Sequence, residues 1–472
     1  MTAPAIARFI DAARERLGAK GVVTDPAEIA PWLTDWRGRW HGASSGILSP
    51  ASTEEVAAIV RLAAQHRVPL VPQGGNTSMV GGATPPTDGA AVILSLRRMN
   101  RIRSVDDQRA VAEAGVILDH LHAAALAAGR RFPLTLGARG SCTVGGLVST
   151  NAGGTQVLRF GTMRGLVAGV EAVLPDGSIH NGLGGLKKDN RGYSLDQLLI
   201  GAEGTLGIVT AAALRLVPAA FDRAVAWAGV AAPQAALTLL RRLQAETDCI
   251  EGFELIPGTS LDLVLAHISA TRSPLAGRHA WHVLIEATAA SAQQESSAAL
   301  LEHLLAAPLA DGLVEDATLA ASEAQADAFW RLRDSLSEAE RTAGPATQHD
   351  ISVPIDVMPR FMIETANAAE ARFPGTHASG FGHLGDSNIH FHVRAPVGAG
   401  SDWIEREGPV VTRFVDDLVM AAGGSISAEH GIGQMKKDEL ARLGPPARLH
   451  ALSAIKHALD PLGLMNPGKL ID

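Results

Sequence analysis

Cysteine is nearly absent: Cys142 and Cys249 are the only two in 472 residues. Two thiols cannot furnish an all-cysteine iron–sulfur cluster or a disulfide-dense scaffold, so a pair of buried free thiols is expected. A basic excess is missing too. The formal net charge is −8, with no zinc-finger spacing and no long basic tract, which argues against a nucleic-acid partner, since such binding neutralises phosphates with Lys and Arg. The N-terminus lacks a basic start followed by a long apolar core and a cleavage signal. The most apolar run, Ala224 to Leu240, is broken by Pro233 and Gln234 and falls short of the roughly 20 residues of a membrane span. It reads as a strand followed by a helix start. No transmembrane segment and a cytoplasmic location are expected. With one Tyr and 11 Phe, the core must rest on Ala, Leu, Val and Ile.

What is present suits a folded chain: 46% apolar and 19% charged residues exclude extensive disorder. The length exceeds one ordinary core, so two or three domains are expected. Ser52 or Thr53 caps a helix with Glu54 and Glu55 in its first turn. Leu70 and Val71 form a short strand before a glycine-rich loop. Ala91 to Leu96 and Ala110 to Ala114 are strand candidates, and a helix runs to about Ala128. Val170 to Leu174 is a strand closed by the turn Pro175-Asp176-Gly177. Past Pro218, helices are expected over Ala231 to Glu246 and Ala290 to Leu305, with a strand at Trp281 to Ile285 between them. A last helix spans Pro446 to Leu459. The fold class is α+β, divided into 1–218, 219–424 and 425–472.

Glycine, at 49 residues, concentrates in three phrases. Gln73 to Gly82 begins with Gly74 and Gly75 and adds Asn76, Thr77 and Ser78. The second runs from Gly140 and Ser141 through Gly145, Gly146, Ser149 and Asn151 to Gly153 and Gly154. The third, Gly201 to Thr210, holds Glu203, Gly204, Gly207 and Ile208. Glycine lets backbone N–H groups approach phosphate oxygens, and Thr77 and Ser78 add donors. Each loop alone is also what a turn in a glycine-rich protein looks like; three together point to a bound cofactor. Neither GxGxxG on a strand–helix unit nor GxxxxGK[ST] occurs. A pyrophosphate cofactor without those signatures points to a different flavin-binding architecture.

The second constellation is His383, His390, Glu429 and His430. Gly382 and Gly385 with Asp386-Ser387-Asn388 allow the first two histidines to converge. In an extended segment Asn388, His390 and His392 share one face. Two imidazoles and a carboxylate can hold a divalent cation with a position left for substrate, Zn2+ first, then Mn2+, Co2+ or Fe2+. The alternative is a hydrogen-bonded polar core. Arg333 and Ser337, four residues apart, lie on one helix face. Arg333 could grip a carboxylate with two parallel donors, or be a surface arginine of the run Arg331-Leu-Arg-Asp334.

These phrases resemble a known family. Pro72-Gln-Gly-Gly-Asn-Thr-Ser-Met-Val-Gly-Gly82, Ser149-Thr-Asn-Ala-Gly-Gly154 and Gly192 to Thr210 look like the vanillyl-alcohol-oxidase, or PCMH, type of FAD domain. Gly382-His-Leu-Gly-Asp-Ser-Asn-Ile-His390 and Glu429-His-Gly-Ile-Gly433 narrow the resemblance to the FAD-linked D-lactate/D-2-hydroxyglutarate dehydrogenase branch, over about residues 45 to 472. The resemblance implies an FAD domain of two α+β subdomains, an α+β cap containing an antiparallel sheet, and a C-terminal return to the FAD domain. Its FAD-binding positions are Pro72 to Ser78, those named in the other two phrases, and Asn466. It makes His383, His390 and Glu429 the metal ligands. His430 becomes the base for the hydroxyl proton while hydride passes to flavin N5, and Arg333 with Ser337 becomes the substrate anchor. No histidine lies between Gln73 and Gly82, so noncovalent FAD is expected.

Two positions depart from the family pattern. Gln348 stands where relatives carry a cationic substrate contact, with His349 beside it, and His392 stands where they carry Asn. The chemistry is therefore more secure than the acid. The expected activity is metal-assisted oxidation of a small D-2-hydroxy acid, of D-lactate or D-2-hydroxyglutarate type, to the 2-oxo acid. An electron-transfer flavoprotein, quinone or cytochrome would reoxidise the flavin, and a homodimer is a family-level expectation. The competing readings are an FAD oxidase of another alcohol and a noncatalytic flavin- or metal-binding protein.

Overall fold

The computed structural model describes residues 3–186 and 188–471. The chain divides into two compact units: Met1–Gly154 with Gly161–Ala219 and His430–Asp472, and Thr155–Phe160 with Ala220–Glu429. The junctions fall one residue past 218 and five past 424. The six residues 155–160 belong to the second unit, which no composition shift announces.

The first unit holds two main sheets. In the four-stranded one the order is Val22–Val23, Ile47–Leu48, Val92–Ser95, Leu70–Gln73, with the last three strands parallel. The helix Thr53–His66 starts on Ser52, whose side chain accepts from Glu55 N, and stops at left-handed Arg67. Its Val56, Ile59, Val60 and Ala63 fill the core against Leu70, Val92 and Leu94, the amphipathic spacing of the sequence. The five-stranded antiparallel sheet runs Ile102–Val105, Arg109–Glu113, Ile208–Arg215, Val167–Val173, Ile179–Asn181. Gly177 sits at φ 81 in the turn between the last two strands, and Gly177 N donates to Leu174 O. The buried Glu171 carboxylate is satisfied by Arg103, Thr53 and Thr210, so its charge is compensated rather than stranded.

The second unit is built on one seven-stranded antiparallel sheet. In spatial order its strands are Asp316–Leu319, Asp222–Val230, Trp281–Ala289, Ile250–Pro257, His377–His383, Asn388–Arg394 and Ala346–Ser352. Side chains alternate across each strand. One face sends Ala226, Phe253, Ile285, Ile351, Phe391 and Val393 into an aliphatic core with Leu240, Leu304, Phe361 and Val415 of the covering helices. The other face packs Trp227, Ile256 and Phe381 against Leu261, Phe329, Leu332 and Ala339. The helix expected from Ala290 begins at Ser297, because Ser296 caps it and its side chain accepts from Ala299 N. Upstream, Gln294 Oε1 accepts from Ala290 N and Ser291 N and holds a turn instead. The strand predicted at Trp281 to Ile285 continues to Ala289, and Cys142 and Cys249 are buried free thiols.

On that second face Trp227 Nε1 donates to His282 Nδ1 at 3.1 Å. Burial, then the neighbouring His279, push the His282 imidazole down to about 4. The folded protein thus takes up this proton later than the unfolded chain does. Stability is full above the ordinary pKa of 6.5 and falls as pH drops toward 4, by on the order of 3 kcal/mol at most. Asn in place of His282 keeps an acceptor without a titrating ring. The melting temperature of His282→Asn should therefore fall less than that of the wild type between pH 6.5 and 4.5; parallel melting curves would refute this.

Candidate functional site

The three glycine phrases meet within the first unit. A Cβ on Gly74 would lie 2.2 Å from Thr143 Oγ1, and one on Gly75 would lie 2.0 Å from Ser141 O, so the first loop lies directly on the second. The third phrase joins them: Glu203 N donates to Ser149 O, and a Cβ on Gly204 would approach Pro72 Cγ to 2.6 Å. Asn466 Nδ2 ties the group together by donating to Gly82 O and Glu203 O. Asn76 is left-handed, with φ 56. The backbone N–H groups of Gly75, Asn76 and Thr77 make no hydrogen bond among the described residues. Successive uncommitted N–H groups around a left-handed residue form an anion nest. Thr143 Oγ1, Gln73 Oε1 and Asn466 Oδ1 are buried without a partner among the described residues. The nest N–H groups and the Thr143 hydroxyl are donors that fit a pyrophosphate-bearing cofactor, while the two amide oxygens are acceptors that would need donors of their own.

Some expected contacts have other duties. Both Glu203 oxygens accept from the backbone, Oε1 from Ile432 N at 2.8 Å and Oε2 from Gly433 N at 2.7 Å. The Glu203 side chain therefore fixes the loop after His430. Asn151, left-handed at φ 51, accepts from Arg164 N and shapes the end of the second phrase. Gly140, Gly145, Gly146, Gly153 and Gly154 all lie in the segment that carries Ser141 and Thr143. Gly207 and Ile208 lead into the Ile208–Arg215 strand. Thr143 was not singled out in the sequence; its only signal there is its place between Ser141 and the paired glycines.

The second cluster lies on the sheet face of the second unit opposite the aliphatic core. Gly382, at φ 151, could not carry a Cβ, which would sit 2.5 Å from Asn388 O. The short turn Leu384–Asp386 and left-handed Ser387 then reverse the chain, so His383 and His390 leave adjacent strands on one face. Ligand atoms of His383, His390 and Glu429 all lie within 4.8 Å of one another. The Glu429 backbone is fixed by its N–H donating to Asp350 Oδ2 at 3.0 Å, and Asp350 Oδ1 accepts from Asn388 Nδ2 at 2.8 Å. Burial first, then Asp350, push the Glu429 carboxyl up to about 7, against the opposing pull of His383. Two imidazoles and a carboxylate crowded by further acids suit a divalent cation.

Arg333 is where the structure departs most from expectation. Its Nε donates to Glu254 Oε2 at 2.7 Å, and its Nη2 lies 3.1 Å from His383 Nε2. The guanidinium is thus half-committed within the protein, and among the described residues Nη1 has only Asp334 at 3.8 Å. Glu254 is directly opposite His383 in the strand register, and His383 Nδ1 donates to Glu254 Oε1 at 2.5 Å. Burial alone would raise the Glu254 carboxyl, but Arg333 and His383 hold it down at about 2. Burial would lower the His383 imidazole, but Glu254 keeps it up at about 9. The sequence reading missed Glu254; its one trace is an acid flanked by Phe253 and Leu255 in a mostly apolar strand.

Gln348 and His392 are cross-strand partners, and His392 also faces Ser379. That row is two residues along the strands from Asp350 and His390, on the same face. Gln348 Nε2 is buried with no partner among the described residues. Ser337 is half-buried in the helix Leu336–Thr342, which follows the helix of Arg333 after a break at Ser335. His430 is half-buried and opens the C-terminal stretch of the first unit.

Residues 44–182 match the family described as "FAD binding domain", and residues 221–470 match "FAD linked oxidases, C-terminal domain". The chain is 38% identical to "D-2-hydroxyglutarate dehydrogenase, mitochondrial" of Bos taurus, over 98% of this chain and 83% of that protein. It is 36% identical to the protein of the same name from Arabidopsis thaliana, over 97% and 80%. Among solved structures, p-cresol methylhydroxylase with substrate bound superposes with a TM-score of 0.73 at 16% identity, covering 100% of this chain and 98% of that one. The α+β fold is thus of the PCMH type. Among the described residues, no helix is long and apolar enough to cross a membrane.

Because a Cβ on Gly75 would collide with the Ser141 carbonyl, Gly75→Ala must displace the nest. FAD affinity should fall roughly tenfold or more, the loss of one or two hydrogen bonds to a charged group. The ratio of flavin to protein absorbance after gel filtration measures this, with circular dichroism reporting the fold. Full flavin retention by a folded Gly75→Ala protein would contradict the assigned cradle.

Proposed function

The chain belongs to the FAD-linked oxidase family, in its D-lactate/D-2-hydroxyglutarate dehydrogenase branch, and from that premise we propose that it is an FAD-dependent, metal-assisted dehydrogenase of small D-2-hydroxy acids. The observation that supports the metal-assisted form is the approach of His383, His390 and Glu429 to within 4.8 Å beside Arg333. When bound, FAD supplies the two-electron acceptor and a divalent cation, Zn2+ by the donor set, supplies Lewis acidity. The protein's own work is with the proton and the charge. His430 takes the hydroxyl proton of the acid, which asks for a neutral imidazole within hydrogen-bond reach. Arg333 attracts the carboxylate through the donors that Glu254 leaves uncommitted, and Ser337 adds a hydroxyl.

Gln348 and His392 meet the end of the acid remote from the reacting carbon. Neither is a fixed cation, so they hold that end by hydrogen bonds, and the buried Gln348 Nε2 offers one. A D-2-hydroxy acid of lactate or glutarate size fits the reading. Reoxidation by an electron-transfer flavoprotein, a quinone or a cytochrome completes the cycle.

Anaerobic mixing with a panel of D-2-hydroxy acids should bleach the flavin absorbance. A chelator should abolish the bleaching and Zn2+ restore it. His430→Ala should retain FAD and slow single-turnover reduction by roughly 10^2- to 10^4-fold. Unchanged single-turnover reduction in that variant would remove His430 from the base role. Stoichiometric hydrogen peroxide with no metal requirement would favour an alcohol oxidase, and no reduction across the panel a noncatalytic binding protein.

A further inference from the structure

Glu254 is one of the deeply buried charges of the second unit. It is 1% exposed and projects from the strand Ile250–Pro257 between Phe253 and Leu255, which turn to the opposite face into the aliphatic core. A lone carboxylate there costs several kcal/mol unless every oxygen is engaged. Both are: Oε1 accepts from His383 Nδ1 at 2.5 Å and Oε2 from Arg333 Nε at 2.7 Å. The pairing is set by the sheet, since Glu254 and His383 face each other in register, and an ordered β-ladder leaves little freedom to slip. With Nδ1 donating, the ring presents the Nε2 lone pair as its remaining ligand, which faces Arg333 Nη2 in this structure. A carboxylate behind an imidazole in this way fixes the tautomer and ring plane of a metal-binding histidine and strengthens it as a ligand.

The second half of the arrangement solves a charge problem. Arg333 Nη2 is 3.1 Å from His383 Nε2, so a guanidinium stands next to the atom that would face a divalent cation. Two cations at that separation repel strongly in a buried site. The Glu254 carboxylate lies against both the guanidinium and the imidazole and compensates the crowding.

Resting on the metal-assisted reading above, we propose that Glu254 is a positioning residue that orients His383 for the cation with one oxygen and holds Arg333 for the acid's carboxylate with the other. One buried group thereby ties cation affinity to substrate anchoring. Glu254 touches neither substrate nor cofactor and acts only through His383 and Arg333.

The test is Zn2+ affinity of the purified FAD-loaded protein, measured by competition with a chromogenic chelator and so independent of turnover. Glu254→Gln keeps an acceptor oxygen but loses the charge, and should weaken Zn2+ binding by up to about tenfold. Glu254→Ala should weaken it by roughly 10- to 100-fold. Because Glu254→Ala leaves Arg333 buried without its carboxylate and could fail to fold, the double variant Glu254→Met with Arg333→Met removes both charges. It should fold and share the weak Zn2+ binding, whereas Arg333→Met alone should bind Zn2+ as tightly as the wild type or tighter. The graded order, wild type above Gln above Ala, is what a merely structural carboxylate would not produce. A folded Glu254→Ala or double variant that binds Zn2+ within about threefold of the wild type overturns the proposal. A wild-type protein that binds no Zn2+ overturns the metal-assisted reading first and this inference with it.

Discussion

A strand that commits one face to an aliphatic core must send every second side chain the other way, and the site of the second unit is a consequence of that rule. Ile351, Ile389, Phe391 and Val393 go to the core. Their neighbours Gln348, Asp350, Asn388, His390 and His392 are therefore carried to the opposite face without any further instruction. His383 and Glu254 obey the same alternation on the next two strands. A register slip of one residue would turn carboxylates and imidazoles into an aliphatic layer, at a cost of several kcal/mol for each. The core thus protects the chemistry by making every other register far less stable.

That enforced gathering has an electrostatic cost. Glu254, Asp350, Asp386 and Glu429 approach one another on a face with little access to water. Hydrogen bonds from Asn388 Nδ2 and the Glu429 backbone satisfy Asp350, and Arg333 with His383 satisfies Glu254. Burial and then Asp350 drive the Glu429 carboxyl upward, and burial raises the Asp386 carboxyl as well. A divalent cation against Glu429 would relieve both its burial and its repulsion from Asp350 in a single step. The ligand set and the surplus of acid around it are two sides of one arrangement.

Much of this was legible in the sequence, and the pattern of successes is physical. Glycine phrases, the Ser52 cap and the alternation Asn388-His390-His392 are local signals, readable because the backbone constraint sits in the residues themselves. The convergence of three distant glycine phrases through Thr143, Ser141 and Asn466 was expected in outline, but the individual contacts depend on tertiary packing. Glu254 was invisible because its meaning is its register against His383, 129 residues away, which one sequence cannot supply. The Ala290 helix start was misplaced because Gln294 and Ser296 compete for the backbone there. The boundary at 155–160 leaves no compositional mark, and the glycine phrase around Glu203 does not say that its carboxylate turns to Ile432 N and Gly433 N.

Arg333 gives the clearest case of a local reading that was right in kind and incomplete in consequence. Arg333 does face the cluster, although its helix ends at Asp334 and Ser337 lies in the next one. A buried guanidinium without a carboxylate would not remain there, however, so the fold supplies Glu254 and directs part of the fork to it. An acid arriving at this site meets an arginine already neutralised on one edge. On the proposed reading, Arg333 attracts an acid less than a free guanidinium would, and a larger share of the recognition would fall on the cation and on the row of Gln348, His392 and Ser379. Selectivity among small hydroxy acids would then depend on hydrogen-bond fit at their far end rather than on charge alone, the circumstance in which Gln348 in place of a cation would be tolerated.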